Sequence, residues 1–267
     1  MFSSHRHLGF NLKIGARKPE TIIHQDAKCP FCDRDCLEDI IDEQGKILLI
    51  KNKYPVLQDA FQTILIETDD CHGDLSTYPR EHLYAVIRFG VEWWFRMSSD
   101  PEYASVIFYK NFGPMSGGTM RHPHMQIVGL KNIDYREFVP EDCFRGVPIF
   151  REEGVEFNLS TAPKIGFFEF NVIIKELIYL EKMAEFIKIT THYLLNHFFR
   201  DCHSYNLFFY HLEGRIIAKI MPRFVTSPLF VGYSIPQVST RQDHIVSEIR
   251  DRYLRENAES GLCHYSL

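Results

Sequence analysis

Short apolar runs separated by turn-forming residues set the pattern of this chain. Residues 46–51 (KILLIK) and 61–67 (FQTILIE) flank Asn52-Lys53-Tyr54-Pro55 and predict two neighbouring strands joined by a turn. From Pro79 to Met97 the period changes. Apolar residues fall at 83, 86, 87, 91, 94 and 95, and a proline stands near the start, which predicts an amphipathic helix. Two more strands follow, over 103–110 and 122–130. Strand pair, helix, strand pair describes an α+β unit with an antiparallel sheet.

The same order returns further on. Residues 131–164 are mixed and polar and read as a long connection. A strand is then predicted over 165–174, a long helix from Glu176 to Phe199, and strands over 205–211 and 215–221. A duplicated unit is the reading, with halves 1–164 and 165–267. Before the first strands, residues 8–27 are irregular apart from one short strand expected in LKIGARKPE (12–20), and the last ~25 residues read as a charged helix with a frayed end.

Composition narrows the class. The chain has 267 residues, 45% of them hydrophobic and 14% aromatic, enough for a sizeable core. A net charge of -5 argues against a general nucleic-acid binder, so any phosphate site must be a local cluster of positive charge. The N-terminal MFSSHRHLGF has no apolar leader core, and no apolar run reaches membrane-spanning length. Seven cysteines, an odd number, point to a reducing compartment and to thiols used as ligands or core fillers. A soluble cytoplasmic protein is expected.

Two stretches carry candidate chemistry. Asn111–Leu130 (NFGPMSGGTMRHPHMQIVGL) runs from a Gly-rich loop into a segment with His122, His124 and Gln126 at period two. On a strand these three share one face. Such a face is either the polar outside of an antiparallel strand or a site, and the Gly-rich loop before it, able to offer backbone N–H groups to phosphate, favours a site. The second stretch is Cys29-Pro30-Phe31-Cys32. A C-x2-C knuckle turns two thiols toward one metal ion, but it also serves redox chemistry or fills a core. The residues before it supply no strand of a βαβ unit, so metal is favoured, and Cys36 nearby leaves open which sulfurs bind.

Asn111-x-Gly113-x3-Gly117-x-Thr119-x2-His122-Pro123-His124-x-Gln126 resembles the active-site signature of galactose-1-phosphate uridylyltransferases, a branch of the histidine-triad (HIT) superfamily. It aligns without a gap, with Thr119 in place of the family's Ser and Met125 in place of its usual Gly. The resemblance extends to Cys29-x2-Cys32 and to Glu67-Thr68 followed by His72, where this chain has one residue more than the family and lacks its Pro. In the second half it extends only to pattern, around Met221-Pro222 and Phe230–Tyr233, without the family's second-half histidine pair.

The resemblance implies an α+β fold of two tandem HIT-like halves, the second degenerate. It implies His124 as the nucleophile of nucleotidyl transfer, a role for which a neutral imidazole is suited. It gives a structural Zn2+ held by Cys29, Cys32, His72 and His122, with Cys36 or Cys71 as substitutes. Gln126, where HIT hydrolases carry His, would bond a phosphoryl oxygen without acting as an acid, which suits transfer over hydrolysis. Asn111, Gly113, Gly117, Gly118 and Thr119 would hold ribose or phosphate, and Lys51, Lys53 and Arg121 could add charge. The implied enzyme moves a nucleoside monophosphate from a nucleotide sugar to a phosphate acceptor through a nucleotidyl-histidine. Its alternatives are an ADP-glucose or dinucleoside polyphosphate phosphorylase, or a non-catalytic zinc-stabilised nucleotide-binding protein. The expected partners are these small molecules and a second copy in a homodimer, with neither nucleic acid nor membrane.

Overall fold

The computed structural model describes residues 7–24, 26–198 and 201–255. Phe199, the expected end of the second long helix, and the expected frayed end beyond residue 255 lie outside the described residues. The chain divides into two units, Met1–Asp74 with Glu81–Val139, and Leu75–Arg80 with Pro140–Leu267. The expected boundary at 164/165 differs from this division.

In the first unit the strands are β1 (Ile40–Gln44), β2 (Ile47–Lys51), β3 (Ala60–Ile66), β4 (Ser105–Phe112) and β5 (His124–Leu130). They are antiparallel in the order β1-β2-β3-β5-β4, so β5 lies between two partners. Helix α1 (Leu12–Gly15) precedes them, and α2 (Arg80–Ser98) separates β3 from β4. The buried stripe of α2 includes Leu83, Val86, Ile87, Gly90, Val91 and Trp94, the face its sequence period predicts. The Trp94 indole Nε1–H donates to the Val106 carbonyl of β4 at 2.8 Å, so the ring's polar edge is satisfied inside the core.

The second unit repeats the plan. Its strands are β6 (Gly146–Glu152), β7 (Val155–Ser160), β8 (Phe170–Ile174), β9 (Tyr205–Leu212) and β10 (Arg215–Pro222). They are antiparallel in the order β6-β7-β8-β10-β9, with α3 (Leu180–Asn196) between β8 and β9. Helices α4 (Pro228–Tyr233) and α5 (Gln242–Tyr253) complete it. The mixed α+β architecture expected from the sequence is therefore present, in two units of one topology. No described helix is long and apolar enough to cross a membrane.

Four local expectations change. LKIGARKPE holds a helical turn rather than a strand, because the Asn11 side chain accepts from the Ile14 N–H at 3.2 Å and caps it. Strand β1 was not anticipated: two adjacent isoleucines are followed by three polar residues, all exposed but half-buried Asp42, so hydrophobic alternation gives no signal. The 131–164 connection contains β6 and β7. Strand β8 begins at Phe170 rather than Ile165, since Phe167 at φ 52° leaves the extended region.

Candidate active site and metal centre

Strand β5 pairs on both edges, with Ile66 opposite His124, Ile64 opposite Gln126 on β3, and Tyr109 opposite Gln126 on β4. A side chain on such a strand is held more firmly than one on a loop. The loop entering β5 is closed on itself. Ser116 Oγ donates to the Gly113 carbonyl at 2.7 Å and accepts from the Gly118 N–H at 3.3 Å. Gly117 sits at φ 84°, a conformation that costs an L-residue strain.

A cavity of ≈ 450 Å³ opens against this loop within the first unit. Six of the sequence-predicted residues line it: Asn111, Gly117, Gly118, Thr119, His124 and Gln126. Lys51 and Lys53 also reach it, with Lys53 paired to Glu38 at 3.4 Å. Gly113 belongs to the loop but not to the lining, and Arg121 instead brings Nη2 to 4.0 Å from Cys71 Sγ. Sequence reasoning missed Lys18, a half-buried cavity residue whose ammonium is held below its usual pKa by burial. Its signal was slight, one basic residue before a proline in an irregular segment.

His124 is buried, and its Nδ1 lies 2.8 Å from the His122 backbone carbonyl. A carbonyl can only accept, so Nδ1 carries the proton and Nε2 keeps the lone pair. Burial first, then the positive charges of Lys110 and neighbouring groups, pull its pKa down to about 4. The ring is therefore neutral at physiological pH. Phe31, from the cysteine knuckle, packs edge-on against both His122 and His124 at 5.8 Å. Behind the strand a buried Lys110–Glu67 ion pair forms, and the Glu67 N–H donates to the Pro123 carbonyl at 3.1 Å, which ties His-Pro-His to the end of β3.

His122 lies just ahead of β5 and turns to different work. Its Nε2–H donates to the Thr68 carbonyl at 2.8 Å, which leaves the Nδ1 lone pair facing Cys29 Sγ at 3.6 Å and Cys32 Sγ at 3.5 Å. Two ligands on one tetrahedral ion, at the usual metal–sulfur and metal–nitrogen lengths, stand about 3.6 Å apart. The fourth donor is Cys71: the ligand atoms of Cys29, Cys32, Cys71 and His122 all lie within 4.8 Å of one another. The expected ligand His72 is exposed and lies outside this group. The Asp70 carboxylate accepts from the His72 N–H at 2.9 Å, closing a turn in which the neighbouring Cys71, rather than His72, joins the cluster. Cys36 is exposed and outside the cluster. Burial pushes the Cys29 thiol up and that of Cys32 to about 12, so gathering them as thiolates calls for a cation. The donor set fits one metal ion.

Among the described residues, the second unit lacks this chemistry. Counting from the β1–β2 and β6–β7 hairpins, Ile217 and Lys219 of β10 occupy the places of His124 and Gln126.

The fold resembles that of solved uridylyltransferase-like proteins. A solved uridylyltransferase matches with a TM-score of 0.65 at 16% identity, over 85% of this chain and 91% of that one. An ADP-glucose phosphorylase from Arabidopsis thaliana, solved with bound ADP-glucose, matches with a TM-score of 0.65 at 15% identity, over 89% and 93%. At these identities the likeness is one of fold. The particular family is narrower. Residues 10–133 match the N-terminal domain, and residues 136–254 the C-terminal domain, of the domain of unknown function DUF4931. A DUF4931 family protein from Bacillus cereus ATCC 10987 is 46% identical with a TM-score of 0.74, over 80% of this chain and 98% of that one. The chain belongs to the DUF4931 family. Comparison with curated proteins finds no match.

Proposed function

We propose that this protein is a nucleotidyltransferase that moves a nucleoside monophosphate from a nucleotide sugar to a phosphate acceptor by double displacement on His124. The observation that carries this reading is the His124 ring: neutral, tautomerically fixed, and lining a cavity beside a Gly-rich loop and an amide. In the first step Nε2 attacks the α-phosphorus, the N–P bond forms, and the bond to the sugar-phosphate oxygen breaks. The departing phosphate is a weak base and needs no strong proton donor, in keeping with Gln126 rather than an acid at that place. In the second step an acceptor phosphate oxygen attacks the same phosphorus and the N–P bond breaks, restoring neutral His124. Lys18 and Lys51 supply positive charge for the phosphates, and Thr119 and Asn111 supply hydrogen bonds. Cys29, Cys32, Cys71 and His122 would hold a zinc ion, which would brace the knuckle and the start of β5 rather than take substrate.

The test is incubation with α-phosphorus-labelled UDP-glucose, ADP-glucose or diadenosine tetraphosphate. One of them should leave an acid-labile, base-stable label on the wild-type chain, which hexose 1-phosphate or inorganic phosphate then removes. The acceptor that removes it separates a uridylyltransferase-type enzyme from a phosphorylase. His124→Gly should lose the label and activity by orders of magnitude. Label retained at an unchanged rate in that variant, or none on the wild type with all three donors, overturns the reading.

A further inference from the structure

The second unit encloses a cavity of its own, ≈ 460 Å³, formed where β8 begins, where β10 ends, and by the segments 223–227 and 238–240. That volume lies in the range of small-molecule sites. Among the described residues lining it, Arg223 is the single charged one, set among Phe167, Phe168 and Phe224 and the hydroxyls of Thr226 and Thr240. The Arg223 Nε is closed to solvent and has no hydrogen-bond partner. A guanidinium N–H shut from water and unpaired is costly until an acceptor reaches it.

Two further observations concern the aromatic wall. Phe167 stands at φ 52°, a conformation that bulky residues avoid. It is held there by pairing with the 237–239 segment, the Ser239 N–H donating to the Phe167 carbonyl at 3.4 Å. Strain of this kind collects at ligand clamps. Phe168 and Phe224 are fixed from behind by Phe198, edge-on at 5.2 Å and stacked at 6.2 Å respectively. The cavity thus has an apolar wall, one cation with an unpaired N–H, and hydroxyls.

We propose that this cavity is a second small-molecule site, taking an organic anion with a flat apolar body. The anionic group, a carboxylate or a phosphate monoester, supplies the acceptor that the Arg223 guanidinium lacks, in the forked geometry arginine favours. The flat body lies against the three phenylalanines. Nothing in this assignment depends on chemistry at His124, since every lining residue belongs to the second unit.

The test uses the full chain with 2-naphthyl phosphate and its neutral twin, 2-naphthol. Hydrogen exchange should show the phosphate protecting residues 165–168 and 221–227. Arg223→Gln keeps the stem and removes the charge. It should weaken 2-naphthyl phosphate at least tenfold while leaving 2-naphthol within twofold. Thr226→Phe, which fills the cavity and spares Arg223, should abolish protection by both probes, and it decides the matter if Arg223→Gln does not fold. Protection confined to residues 111–126, or Arg223→Gln binding the phosphate with unchanged affinity, overturns the proposal.

Discussion

One imidazole shows how far a single residue's environment fixes its chemistry. His124 has its pKa pulled from near 6.5 to about 4, and burial is the leading cause. The sign of the consequence follows from linkage. Between these values the unfolded chain takes up a proton that the folded chain does not, so this contribution to stability is complete above about pH 6.5 and is lost as pH falls toward 4. The loss attributable to His124 is on the order of 3 kcal/mol at most, by the usual conversion per pKa unit. His124→Gln should therefore show a shallower fall in melting temperature between pH 7 and pH 4.5 than the wild type. Parallel falls in the two proteins would show that His124 titrates normally. The neighbouring metal cluster makes a separate prediction. Cys71→Ser should lose the copurifying metal, whereas His72→Ala should keep about one ion per chain by elemental analysis. The reverse result would restore His72 as the ligand. His122, Cys29 and Cys32 were legible because their spacing is local, a knuckle and a strand entrance. The choice between adjacent Cys71 and His72 was not, because it depends on an Asx turn at Asp70 whose sense no pattern of residue types records.

At the scale of elements, hydrophobic period located what is buried and missed what is not. Helix α2, expected from Pro79 to Met97, runs over Arg80–Ser98, and both long hairpin strands of the second unit fall within a residue of their expected ends. Exposed β1 left no alternation to read, and α1 is held by a side-chain cap rather than by an apolar stripe. Gly90 on α2 is a finer case. A Cβ there would stand 2.5 Å from Phe108 Cζ and 3.2 Å from Leu65 Cδ1, so the glycine sets how closely the helix approaches β3 and β4. In an exposed helix Gly→Ala gains about 1 kcal/mol. Here overpacking against a buried ring that also packs on Trp94 costs roughly 1–3 kcal/mol and should win. Gly90→Ala is thus expected to lower stability by about 1 kcal/mol net in denaturant titration. A stabilised variant would mean that Phe108 gives way freely.

For the whole molecule, the two units share one strand order, while among the described residues the cavity histidine and the cysteine cluster belong to the first. The cluster is part of that unit's core, not an appendage. Cys29 and Phe31 pack with Leu48 and Ile50 of β2, Ile66 of β3 and Met120 of the loop. Removing a metal that binds only the folded state removes RT ln(1 + [L]/Kd) of stability from whatever folds with it. It also leaves three clustered thiols, that of Cys29 buried, that no longer share a cation, and frees Phe31 from its place against His122 and His124. The second unit has its own buried network, in which Lys219 reaches Glu169 at 2.8 Å, Asn171 Oδ1 at 3.0 Å and the Cys143 carbonyl at 2.7 Å. Chelation should therefore act on one half. With a strong chelator, amide exchange should accelerate across residues 29–71 and 117–126, and nucleotide labelling at His124 should fall with it. Residues 146–222 should keep their protection. Equal acceleration in both halves would show that the units fold as one cooperative block, and no acceleration in either would remove the metal from the account of the first unit's stability.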